Sequence, residues 1–277
     1  MRVFPIVLLF SLAVEAAVPQ PAETTAFNID SHGGIVVSAT FNQAGPFRIL
    51  VDTGASHSSI SSEVAHAIGA PAIARSIVSS PGGDRESLIV RVDRLAVGPI
   101  VVAVEPTVVP AADLKKAGGI DGVVGQDVLS GLRYTIDYRN RQIAWGQAAS
   151  TRGENSEVPL VFQDGLPVVE LRQGATTLRL VADSGTSGLL IFESSGRSLP
   201  AMRHDGGLVR VDSFYGTRLA RSVVIDEFRI GPSTFLDMPA VLLRPGDSPA
   251  FHTDGLLPLH IFGRVTFDGP GRRLILG

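Results

Sequence analysis

The sequence predicts an all-β protein built as two homologous lobes. The chain repeats itself: Gly34 to Gly54 reads GIVVSATFNQAGPFRILVDTG, and Gly165 to Gly185 reads GLPVVELRQGATTLRLVADSG, aligned without a gap at an offset of 131. Segments 35–41, 47–51, 88–97 and 101–104 are short, rich in Val and Ile, and bounded by Gly, Pro or Asn, which is the pattern of strands. Helical signals are sparse. Residues 61–68 read as a short helix with Ser61 or Ser62 as N-cap, and 126–131 as another, because a serine hydroxyl can accept from the free N–H groups of a first turn.

Each element has a partner in the other half. Val92 to Pro99 (VDRLAVGP) corresponds to Ile225 to Pro232 (IDEFRIGP), Pro106 to Pro239, and Asp121-Gly122 to Asp254-Gly255, all at an offset of 133. Thr135-Ile136-Asp137 corresponds to Thr266-Phe267-Asp268 at 131 again. The repeat therefore covers a whole domain, too long for one solenoid or propeller unit. The expected division is a leader at 1–16, a linker at 17–26, a first lobe at 27–147, a connector at 148–157 and a second lobe at 158–277.

Bulk properties narrow the classes. At 277 residues and 44% hydrophobic content the chain can bury a sizeable core. A net charge of −3 and no basic patch argue against nucleic acid as a partner. Arg2, an apolar run of 11 residues from Phe4 to Val14 and the site Val14-Glu15-Ala16 read as a secretory signal, too short to span a bilayer. The expected protein is exported, to the periplasm or beyond, with no stable membrane insertion after cleavage. It has no cysteine, hence no disulfide. Little chain lies between the leader and Ile35, so control by a long inhibitory pro-segment is not expected.

Both copies end on an aspartate in a glycine turn: Asp52-Thr53-Gly54-Ala55-Ser56 and Asp183-Ser184-Gly185-Thr186-Ser187. One such aspartate reads equally well as an Asx-turn residue between strands. Two in register, each leaving an apolar strand, read as a pair. Both loops resemble the active-site loops of bilobal aspartic proteases, the pepsin-like and retropepsin-like enzymes. Ile120 to Gly125 (IDGVVG) is similar to the apolar segment that threads beneath the catalytic loop in that family.

The resemblance implies the acid protease fold, with two β-barrel lobes of six-stranded type and the active site between them. It implies an aspartic endopeptidase acting on a peptide or protein substrate, active as a monomer, with no metal or organic cofactor. Asp52 and Asp183 would be catalytic. Two carboxyl groups about 3 Å apart cannot both ionise, so one serves as base to a water while the other polarises the scissile carbonyl. Gly54 and Gly185 would let the loops approach. Thr53 and Ser184 would brace the facing loops, and Ser56 and Ser187 would donate to the outer carboxylate oxygens.

The family also uses β-hairpin flaps over the substrate. The candidate tips are Pro81, Gly82 and Gly83 in the first lobe and Phe214, Tyr215 and Gly216 in the second. The first-lobe flap lacks the tyrosine of pepsin-like enzymes, and Pro258 replaces the glycine beneath the second loop. These departures support an alternative, a degenerate retropepsin-like protein that binds peptides without cutting them. Other chemistries find no motif: the histidines have no zinc spacing, Gly119, Gly122 and Gly125 form no dinucleotide fingerprint, and Ser184 and Ser187 sit in no nucleophile elbow.

Overall fold

The computed structural model describes residues 23–80, 83–146, 156–193, 201–213, 216–244 and 252–277. The leader at 1–16 lies outside them, as does most of the connector. Three β-sheets and a few one- or two-turn helices make up the fold.

The first-lobe sheet is built around the antiparallel pair Ile35–Phe41 and Ala44–Val51, with Ile35 opposite Val51 and Val37 opposite Ile49. Alternate residues Ile35, Val37 and Ala39 are buried in the main core, as the two-residue period of a strand requires. Gly122–Val124 lies parallel to Ala44–Val51 and antiparallel to Ser59–Ser61. It threads between the strand that enters the Asp52 loop and the strand that leaves it. The second-lobe sheet repeats this. Gly255–Pro258 runs parallel to Thr176–Asp183 and antiparallel to Leu189–Phe192.

The duplication extends to single hydrogen bonds. Arg48 N donates to Asp121 Oδ2 at 2.8 Å while Asp121 N donates to Arg48 O at 2.7 Å. In the other lobe Arg179 N donates to Asp254 Oδ2 at 2.8 Å and Asp254 N to Arg179 O at 2.7 Å. Each aspartate caps the entry of the threading strand and sets its register against the strand leading to the Asp52 or Asp183 loop.

The third sheet has six strands, three from each half of the chain. At its centre Arg133–Asp137 pairs antiparallel with Arg264–Asp268. Outside these lie the hairpin mates Gln142–Trp145 and Arg273–Leu276, then the edge strands Glu23–Ala26 and Ser156–Pro159. The stretch 23–26, expected to be linker, is thus a strand with Glu23 opposite Trp145, and 156–157 of the expected connector is likewise strand. Their local composition is polar, and only the distant partner strands make them regular. Tyr134 stacks on Phe267 at 5.0 Å across the lobes. One apolar core, including Ile35, Tyr134, Ile191 and Phe267, runs through both lobes and this sheet.

Of the short helices, Ser62–Ala67 is capped by Ser61, whose hydroxyl accepts from Val64 N at 3.0 Å. The expected 126–131 helix is a single turn, Gln126–Leu129. A third, Ala111–Lys116, was not foreseen. Its signal is there in Pro110 followed by Ala, Leu and Lys, all good helix formers, but it is six residues long. The expected strand at 88–97 is two strands, Gly83–Val90 and Val92–Val97, parted at Arg91, whose N–H bonds Pro71 O instead.

Candidate active site

Strands Ala44–Val51 and Thr176–Asp183 deliver Asp52 and Asp183 to the junction of the lobes. Asp52 N donates to Val124 O at 3.0 Å, tying the loop to the threading strand. The next residues interlock. Thr53 N donates to Ser184 Oγ at 3.0 Å, and Ser184 N donates to Thr53 Oγ1 at 2.9 Å. Thr53 Oγ1 in turn donates to Ala182 O at 2.7 Å, and Ser184 Oγ to Val51 O at 2.8 Å. Each hydroxyl therefore reaches into the opposite lobe, accepting one backbone N–H and satisfying one carbonyl. Both side chains are buried, so an unmade bond here would leave a desolvated polar group.

This interlock sets the two carboxyl groups face to face. A Cβ added at Gly54 would fall 2.4 Å from Asp183 Cγ, and one added at Gly185 would fall 2.7 Å from Asp52 Cγ. Only glycine admits the opposing carboxyl at that range. The same glycines donate inward: Gly54 N to Asp52 Oδ1 at 2.8 Å, Gly185 N to Asp183 Oδ1 at 2.7 Å.

Both carboxyl groups are buried and face each other closely enough to perturb one another. Burial pushes Asp52 above the ordinary carboxylate range, against the pull of the Gly54 N–H, the Asp183 carboxyl and the Ala55 N–H. Asp183 stands well above that range, by burial first and by the charge of Asp52 second. Such a pair holds a proton at pH values where isolated aspartates are fully ionised.

A family model described as aspartyl protease matches residues 37–128 and 169–277, well over half of the chain and parts of both lobes. The chain belongs to the aspartyl protease family. No curated protein was found to match it.

Within this aspartyl protease fold the other site residues are placed as follows. Ser56 Oγ bonds His57 Nδ1 at 3.0 Å rather than the Asp52 carboxylate. Ser187 is exposed beside Gly33, with no described hydrogen bond to Asp183. The hydrogen bonds described to these carboxylates come instead from backbone N–H groups, of Gly54 to Asp52 and of Gly185 to Asp183. Each loop turns tightly enough to aim its own backbone at its carboxylate.

Flap candidates Pro81, Gly82, Phe214 and Tyr215 lie outside the described residues. Their flanking strands are described. Ala72–Ser80 pairs with Gly83–Val90, ending on Ser80 opposite Gly83. Met202–Ser213 pairs with Gly216–Ile230, ending on Ser213 opposite Gly216. The two hairpins occupy equivalent places in the duplication, at an offset of 133.

Several supporting residues were not singled out from sequence. Gln126, buried, donates from Nε2 to Thr53 O at 2.9 Å. Ser58, also buried, donates from N and Oγ to Asp127 Oδ1 at 2.9 and 2.8 Å, and its Oγ accepts from Gly125 N at 3.2 Å. Tyr138 has its phenol pushed up by burial and further by the charge of Asp183. The signal for Gln126 and Asp127 was their place directly after Val124-Gly125, the end of the threading segment.

Proposed function

We propose that this aspartyl protease family member is an aspartic endopeptidase, in which Asp52 and Asp183 share one proton and activate a water against a peptide bond. The observation that carries the reading is the reciprocal lock of Thr53 and Ser184, which holds two buried, facing carboxyl groups between the lobes. The ionised carboxylate takes a proton from the water. The neutral one donates to the scissile carbonyl oxygen as the tetrahedral centre forms. The substrate is an extended peptide or protein segment lying between the lobes, covered by the two equivalent hairpins. No cofactor is needed for these steps.

Digestion of a peptide library by the purified protein between about pH 3 and 8, beside an Asp52→Asn control, tests this. Cleavage that depends on Asp52 is expected. Peptide binding without cleavage would favour the alternative, a non-catalytic peptide-binding relative. Since one chain supplies both halves of the dyad, specific activity should not fall on dilution, as it would for an obligate dimer. The reading includes export, with a mature N-terminus near Ala17, and mass spectrometry of the exported form would find an intact Met1 if that is wrong.

A further inference from the structure

The two catalytic loops are copies, but their supports are not. Beneath the first loop, Gln126 N donates to Ala55 O at 2.8 Å, Gln126 Nε2 to Thr53 O at 2.9 Å, and Gly125 N to Ser58 Oγ at 3.2 Å. Asp127 anchors Ser58 from the far side. In the second lobe the equivalent positions are Leu189 for Ser58, Pro258 for Gly125, Leu259 for Gln126 and His260 for Asp127. Leu189, Leu257 and Leu259 are fully buried, and Pro258 has no N–H. Among the described residues no bond like those of Gln126 reaches the second loop, where Thr186 Oγ1 donates to Gly188 O at 3.0 Å.

The Gln126 amide acts at a telling place. The carbonyl of Thr53 and the N–H of Gly54 belong to one rigid peptide unit. Fixing that carbonyl fixes the N–H that donates to Asp52 Oδ1, and bonding it polarises the unit, strengthening the N–H as a donor. In the second lobe the same unit joins Ser184 to Gly185, and Leu259 has no group to offer its carbonyl.

We propose that Gln126 is a positioning residue for Asp52 with no counterpart for Asp183, so that the two halves of the dyad are unequal by construction. The braced loop carries the negative charge, making Asp52 the base. The loop set on leucines keeps the proton, making Asp183 the acid. This rests on the endopeptidase reading and deepens it. The titratable groups around the pair and its brace are each other, Tyr138 beside Asp183, Tyr134 beside Gln126, and Asp127, His57 and His260 on the adjoining segments.

The test compares Gln126→Met, which keeps the shape and removes the amide, with Leu259→Gln, which supplies one. Gln126→Met should lower kcat by about tenfold with KM little changed, and move the acid limb of kcat/KM toward neutral by about half a pH unit or more. Leu259→Gln should move the alkaline limb to lower pH, since a firmer Gly185 N–H favours ionised Asp183. The same shifts should appear in a carboxyl NMR titration of Asp52 and Asp183, which needs no turnover. Thermal unfolding checks that each variant is folded, and a fall in rate with both limbs unmoved would mean a merely structural role. Unmoved titrations in either folded variant overturn the proposal. A wild-type protein that cuts no peptide, yet shows the shifts, would instead sink the endopeptidase reading and leave the inequality standing.

Discussion

Thr135 and Thr266, 131 positions apart in the chain, share a hydrogen bond of 2.7 Å between their hydroxyls. They are equivalent residues of the two lobes, directly opposite each other in the central strand pair. A residue paired with its own copy marks the axis that relates the halves. Arg133 Nη1 meets Asp268 Oδ2 at 3.0 Å beside it, and Tyr134 stacks on Phe267. The lobes are thus joined by a continuous sheet to which each contributes three strands.

Thr135→Val strands the Thr266 hydroxyl in that sheet. We expect a loss of about 1–3 kcal/mol in denaturant unfolding. The double change to valine should cost less than the single one, because both polar groups then leave together. A double variant worse than the sum of the singles would show that the hydroxyl pair is not what joins the strands.

Thr53→Ala removes one acceptor and one donor from the interlock, leaving Ser184 N and Ala182 O unpaired in buried surroundings. About 1–3 kcal/mol of stability should go, and cleavage should fall more steeply than stability, because the carboxyl groups lose their alignment. Thr53→Ser keeps the hydroxyl and should restore most of both. Equal activity in the alanine and serine variants would detach the interlock from function.

Gly54→Ala puts a methyl where Asp183 Cγ stands 2.4 Å away. Either the Asp183 carboxyl must turn away or the lobes must part. Cleavage should drop below detection and unfolding should cost about 1–3 kcal/mol less. Gly185→Ala should behave alike through Asp52. Gly174→Ala, in open space, serves as control and should keep full activity, with only the modest strain of its positive φ. An active Gly54→Ala protein would mean that the carboxyl groups do not meet.

Asp52→Asn and Asp183→Asn should each reduce cleavage by at least about a thousandfold, and the double variant should be little worse than either. Stability should move the other way. Both carboxyl groups are raised in the folded state, so the fold binds a proton that the unfolded chain releases. That contribution is complete below the unfolded value of about 3.9 and is lost as pH rises through the folded values. Asp183→Asn should therefore raise the melting temperature by about 2–4 °C near neutral pH, with the gain fading toward about pH 3. A variant less stable than wild type at neutral pH would contradict the raised carboxyl.

The duplication, the all-β class and the two aspartates were legible in the sequence because each is carried by local pattern. Two-residue periodicity, glycine turns and a repeat at constant offset need no partner to be read. Edge strand Glu23–Ala26 was not legible, since its order comes from pairing with Gln142–Trp145 more than a hundred residues away. The serine roles also escaped. The loop pattern reads Ser56 and Ser187 as donors to the carboxylates, and the turn geometry decided that the backbone N–H groups of Gly54 and Gly185 donate there.

By itself, then, the sequence determined that there are two like halves, each bringing one carboxyl group to a glycine turn. Pro258 signalled that the halves were not identical. Only the tertiary structure decided that the carboxyl groups meet, because Thr53 and Ser184 exchange hydrogen bonds across a boundary no local pattern records. It also decided that Gln126 braces one loop while Leu259 underlies the other. A buried amide and a buried leucine fill similar space, and which one matters depends on the carbonyl that folding places above it.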